Sequence, residues 1–270
     1  MDALIRLLAV AAPAAWTAAA VLYLFVFLRE DAAAERWAPR AAWAAAAVHL
    51  LALASPGFRG VCPMVLPASM LSGLGLAVGG VHLCVESRAK DRAIGVFPIA
   101  IAAMISLASA AADPLHRPAA LPPASTAVHV TGAILGYAGV LLAALFGVLY
   151  LVQRSALKGH RFGLFWERLP SLELLDAFSR RSLVAGVVFL TLTIGFGHLV
   201  RRSVQLGESY WDAKIVATNV LWLVALAVVV ARRLNRIRPA TSAFASVALF
   251  VLTLANLLVV DLFSKVHRDL

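Results

Sequence analysis

The chain has 270 residues, is 62% hydrophobic and 14% charged, and carries a formal net charge of +10 with a mean hydropathy of +0.88. Water-soluble domains are about 45–50% apolar, so this composition excludes an ordinary soluble enzyme and implies an all-α, polytopic membrane protein. The excess Lys and Arg then belong to the loops, where they set membrane orientation, and no nucleic-acid partner is expected.

Taken in order, the apolar runs predict eight transmembrane helices, each near the roughly 20 residues that cross a bilayer. Helix 1 covers about 4–28 and ends at Arg29-Glu30-Asp31; it reads as a retained span, with no cleavage site after it. Helix 2 covers about 37–55, contains His49 and stops before Pro56-Gly57. Helix 3, about 64–85, carries Gly73, Gly75, Gly79 and Gly80, spacings that let membrane helices pack closely. Helix 4 follows at about 93–112, and the proline-rich stretch 113–126 reads as a stiff loop. Cys62 and Cys84 stand outside any CxxC pair, so thiol–disulfide exchange is not expected.

Helix 5 spans about 127–152 with His129 at its start. In the connection 153–181, apolar residues alternate with charges, which predicts an amphipathic helix lying on the membrane surface. Helix 6 covers about 182–200 and has His198 near its end; helices 7 and 8 cover about 215–230 and 240–262. Between helices 6 and 7 lies Glu208-Ser209-Tyr210-Trp211-Asp212-Ala213-Lys214, a short aromatic and charged loop between two apolar segments. The expected organisation is therefore four N-terminal helices in 1–125 and four more, with loop 208–214, in 126–270.

The connections after helices 1, 3, 5 and 7 hold 16 of the 24 Lys and Arg residues. The positive-inside rule puts these loops in the cytoplasm and both termini outside. It also brings His129, His198, His267 and the Tyr210-Trp211-Asp212 loop to the outer face. His49 is intramembrane, while His82 and His160 are expected to snorkel or to sit in solvent.

Residue types alone leave two readings of the outer-face residues open. Tyr210 and Trp211 suit an interfacial aromatic belt, Asp212 a helix N-cap, and a boundary histidine can simply reach water. Alternatively, two neutral imidazoles on opposite faces of a porphyrin make an axial pair, with aromatic side chains against the macrocycle. No HExxH or CxxC spacing offers zinc a local ligand set. Buried His49 is a functional candidate because burial of an ionisable group is costly, and equally a hydrogen-bonded structural residue. No nucleophile–base constellation or phosphate loop is present, so no enzymatic activity is expected. A transporter would show repeated halves around a midplane site, and no clear repeat is visible.

Loop 208–214, followed by Leu221-Trp222-Leu223, resembles the tryptophan-rich WWD signature of the cytochrome c assembly family, typically W-x-W-D-P-K-E. Residues 189–195 resemble the helix that precedes the signature. His129, with seven residues between it and Tyr137, is similar to the family's histidine-bearing helix, and His267 to the histidine near the family's C-terminus. The similarity spans about 126 to the end, while helices 1–4 match in length and hydropathy, as in short eight-helix CcsA/HemX-like members.

The resemblance implies haem handling in cytochrome c maturation at the outer face of the plasma (inner) membrane. Trp211 and Asp212, with Tyr210, would belong to a haem platform, and His129 and His267 would be the axial ligands to the iron of haem b. His198 and intramembrane His49 are further haem-binding candidates. Partners implied are a second membrane protein of the assembly system, apocytochrome c and the lipid bilayer. The chain departs from the signature at Ser209, where the first Trp stands, and at Ala213 and Ile215 in place of Pro and Glu. Those departures keep an alternative in view, a non-enzymatic accessory or regulatory subunit in haem metabolism that has lost haem transfer.

Overall fold

A computed structural model describes residues 2–59, 67–89, 92–112, 124–160, 163–203 and 213–257. Every regular element among these residues is helical: α1 (Asp2–Arg29), α2 (Ala32–Ala54), α3 (Pro67–Ala89), α4 (Val96–Ala112), α5 (Ala124–Lys158), α6 (Leu164–Arg168), α7 (Leu172–Ser203), α8 (Ala213–Arg233) and α9 (Pro239–Ala255). Short 3-10 turns occupy Ser55–Arg59 and Ala93–Gly95. The chain divides into two compact units, one of Met1–Val130 with Glu167–Pro170, the other of Thr131–Trp166 with Ser171–Leu270.

In the first unit, α1 packs on α2 and α4, and α3 packs on α4 and α2. The charged run after α1 makes the turn: Glu30 takes a left-handed φ of 51°, and Asp31 Oδ1 accepts the Ala34 amide at 2.7 Å. That cap starts α2 five residues before the apolar run does. From there α2 buries Ala34, Ala38, Ala42, Ala45, His49 and Leu53, an alanine stripe that lets α1 approach closely. Gly75 and Gly79 of α3 act in the same way, whereas Gly80 faces open space. A Cβ on Gly79 would lie 2.2 Å from Trp16 Cη2, so the indole occupies the space that side chain would need.

The second unit is built on α5, α7, α8 and α9, which share one core of Val140, Ala143, Leu183, Val187, Leu190, Ala225 and Leu249. α5 and α7 meet backbone to backbone: a Cβ on Gly139 would lie 2.6 Å from Gly186 Cα, and one on Gly136 2.8 Å from Leu190. Ser179 Oγ donates to the Ala143 carbonyl at 2.8 Å along the same seam. The α8–α9 turn is tied down by Arg232, which donates to Asp176 Oδ2 of α7 at 2.5 Å and to the Ile237 carbonyl at 3.3 Å.

Two expectations are corrected here. Residues 172–181 form no separate surface helix; they are the first turns of α7, started by Ser171, whose hydroxyl and carbonyl accept the amides of Leu174 and Leu175. Leu175 and Phe178 point inward on the same stripe as Leu183, Val187 and Leu190, so their apolar face packs against protein. His82 neither snorkels nor sits in solvent but is 1% exposed.

Five described helices are long and apolar enough to cross a membrane: Ala3–Arg29, Ala68–Ser87, Ala124–Lys158, Leu172–Leu199 and Ala213–Arg233. α4 and the described α9 are apolar but have 17 residues each, and α2 carries Arg36, Pro39 and Arg40 in its first half. The helices turn apolar side chains outward, as in α8, where Val216, Val220, Leu223, Val224 and Val230 are exposed. Such stripes suit lipid rather than water. The chain is thus an all-helical protein with several membrane-crossing helices.

Candidate functional site

Two clusters of polar side chains lie inside the first unit. Trp16 Nε1 donates to His49 Nδ1 at 2.9 Å, and His49 Nε2 lies 2.7 Å from Ser72 Oγ. Three helices are therefore joined through one imidazole that is 1% exposed. Since Nδ1 accepts from the indole, Nε2 carries the proton and donates to the serine hydroxyl. Because both nitrogens are engaged, His49 could ligate iron only by giving up one of these bonds.

One layer away, Tyr23 Oη donates to Glu86 Oε2 at 2.5 Å, and its ring meets His82 edge to face with centroids 6.4 Å apart. His82 and Glu86 are four residues apart on α3 and share a face. Neither ring nitrogen of His82 has a hydrogen-bond partner among the described residues. The site is closely packed: a Cβ on Gly95 would lie 2.2 Å from the Tyr23 ring and 3.0 Å from His82 Nε2. A porphyrin has no room beside this imidazole unless the helices part.

The residues expected at the outer face divide into two groups. His129 lies in the second turn of α5 and is partly buried, on the same helical stripe as Gly132 and Gly136. His198 lies near the end of α7 and is exposed. Tyr210, Trp211, Asp212 and His267 lie outside the described residues, as does the proline-rich segment 113–123. Ala213 and Lys214 open α8. Eight residues on, Trp222 packs against the second unit's core, and its Nε1 donates to Thr191 Oγ1 of α7 at 2.9 Å. Tyr137 packs against the same core. Among the described residues, no three His, Cys, Asp or Glu side chains gather as a metal-binding group.

The family described as cytochrome C assembly protein matches residues 7–267. The chain belongs to that family. It is also similar to two proteins called HemX. That of Brevibacillus brevis is 34% identical over 131 residues, 48% of each chain. That of Bacillus subtilis (strain 168) is 29% identical over 141 residues, covering 52% of this chain and 51% of the relative. The chain thus spans about half the length of the curated relatives it matches.

The haem that the cytochrome c assembly family implies can be weighed against the donors described. His129 and His198 are imidazoles of the kind that ligate haem iron, and neither is sealed in the protein. His49 is occupied and His82 is enclosed, so neither accepts a macrocycle in this packing. Sequence reasoning missed the His82–Tyr23–Glu86 group. The signal was there in the i, i+4 spacing of His82 and Glu86, on the same helical face as Gly75 and Gly79.

Proposed function

We propose that this family member is a membrane protein of cytochrome c maturation that holds or delivers haem at the outer membrane face. His129 and His267 serve as axial ligands, and Tyr210, Trp211 and Asp212 form the platform. The observation that carries the reading is the family match over 7–267, which takes in both histidines and the loop. When bound, haem would supply an iron that the neutral imidazoles of His129 and His267 would hold. In this reading α5 offers the His129 imidazole beyond the glycine seam. Trp222, anchored by Thr191 and the core, fixes α8, the helix into which loop 208–214 runs. Eight spans with both termini outside a bacterial plasma membrane complete the arrangement, with a second membrane protein and apocytochrome c as partners.

The test is spectroscopic. Protein made with abundant haem and purified in detergent should show a Soret band with a bis-histidine spectrum. His129→Ala and His267→Ala should each lower haem retention by at least the ~10-fold that losing even a supporting ligand group costs. Haem retention equal to wild type in both variants, at unchanged expression, would sink the ligand assignment.

A second reading is favoured by Ser209, Ala213 and Ile215, which replace the signature's first Trp, Pro and Glu. The chain would then be an accessory or regulatory subunit in haem metabolism without haem transfer. Both histidine variants would keep full function, while changes at exposed Lys158 and Glu173 would abolish it.

A further inference from the structure

An open groove of about 660 Å³ runs along α1 and α2 beside the turn that joins them. Part of its lining is apolar, from Leu22, Phe25, Ala41 and Ala44. Arg29 and Arg40 line it too, and Trp37 lies between them in sequence. Trp37 is 59% exposed and Phe25 42%. Arg29 lies over the Phe25 ring, 5.4 Å from its centroid, and Arg40 lies over the Trp37 ring at 5.1 Å. Stacking of this kind fixes a guanidinium plane while leaving its N–H edge free to meet an anion.

Asp31 also lines the groove, where its Oδ1 accepts the Ala34 amide, and Glu30 pairs with Arg168. Neither Arg29 nor Arg40 forms an ion pair among the described residues. The groove therefore presents two arginines and one carboxylate, a net positive charge, beside an apolar wall that carries an exposed tryptophan. A packed partner helix would have to bring its own carboxylate to avoid burying the net positive charge uncompensated.

We propose that this groove binds an anionic phospholipid of the surrounding membrane. Its phosphate is held by Arg29 and Arg40, and one acyl chain lies along Leu22, Phe25, Ala41 and Ala44. Such a molecule supplies negative charge and hydrocarbon at one interfacial depth, which a free phosphate does not.

The experiment uses the full chain in lipid nanodiscs, with dioleoyl phosphatidylglycerol compared against dioleoyl phosphatidylcholine. Bound lipid is read by native mass spectrometry and stability by thermal unfolding. Each interfacial arginine contributes about fivefold to anionic-lipid affinity, so the Arg29→Gln/Arg40→Gln double variant should lose about twenty-five-fold of the phosphatidylglycerol preference. Its unfolding temperature in phosphatidylcholine should match wild type. Arg29→Lys/Arg40→Lys keeps the charge and should retain most of the preference. Arg236→Gln, in the exposed α8–α9 turn, should retain all of it. No preference in the wild type, or an unchanged preference in the Gln double variant, overturns the proposal. So does glycerol 3-phosphate competing as well as the lipid, or a photo-crosslinker at position 37 capturing a protein in place of lipid.

Discussion

His49 and His82 are both 1% exposed, yet their chemical situations are opposite. His49 satisfies the indole of Trp16 and the hydroxyl of Ser72, so its removal strands a buried donor. An orphaned buried group costs about 1–3 kcal/mol, and His49→Leu should lower unfolding stability in detergent by that amount. In a double-mutant cycle with Trp16→Phe the two losses should overlap; additivity within about 0.5 kcal/mol would show the bond contributes nothing. His82 satisfies no partner in the described structure, so His82→Leu removes an unpaired polar group at similar volume and should raise stability by roughly 1 kcal/mol. A loss of stability there would mean that His82 has a partner in the membrane. The position of His49 inside a span was legible from hydropathy, because an apolar run surrounds it. Its partners were not, since Trp16 and Ser72 lie 33 and 23 positions away and only the helix packing brings them to one ring.

At the scale of helices, the second unit is held by the α5–α7 seam. Gly139→Ala would drive a methyl into the Gly186 backbone, which cannot swing aside, so a loss of about 1–3 kcal/mol is expected. Gly195→Ala, on the same helix α7 but with open space around it, should be neutral or slightly stabilising. Equal effects of the two in thermal unfolding would show that the seam is not the constraint. The helices were legible one by one from their apolar runs, to within a few residues at most ends. Their extension was not: α5 runs on to Lys158 and α7 begins at Leu172, ten residues before the apolar run suggests. Leu174, Leu175 and Phe178 among charges give the same pattern whether a helix rests on lipid or on other helices. The burial of Leu175 and Phe178 decides between them.

For the molecule as a whole, charge distribution predicts the orientation that the proposed function needs. Single cysteines in the α8–α9 turn, at Asn235, and at the end of α5, at Ser155, should label only from the cytoplasmic side. A cysteine at Ser209 should label only from outside. Labelling of position 209 from the cytoplasm would reverse the orientation and remove the outer-face haem reading. Of the candidate site, the sequence alone singled out His129, the 208–214 loop and His267, and the family match encloses all three. What it determined by itself was membrane class, helical content and family, because hydropathy, loop charge and signature residues are local properties of the chain. Only the tertiary structure decided which polar side chains meet. It made His49 a three-helix tie, enclosed His82 beside Tyr23, and set Arg29 and Arg40 along an apolar groove. Those outcomes depend on how closely alanine and glycine faces let the helices approach, a property of pairs of helices that no single stretch of sequence contains.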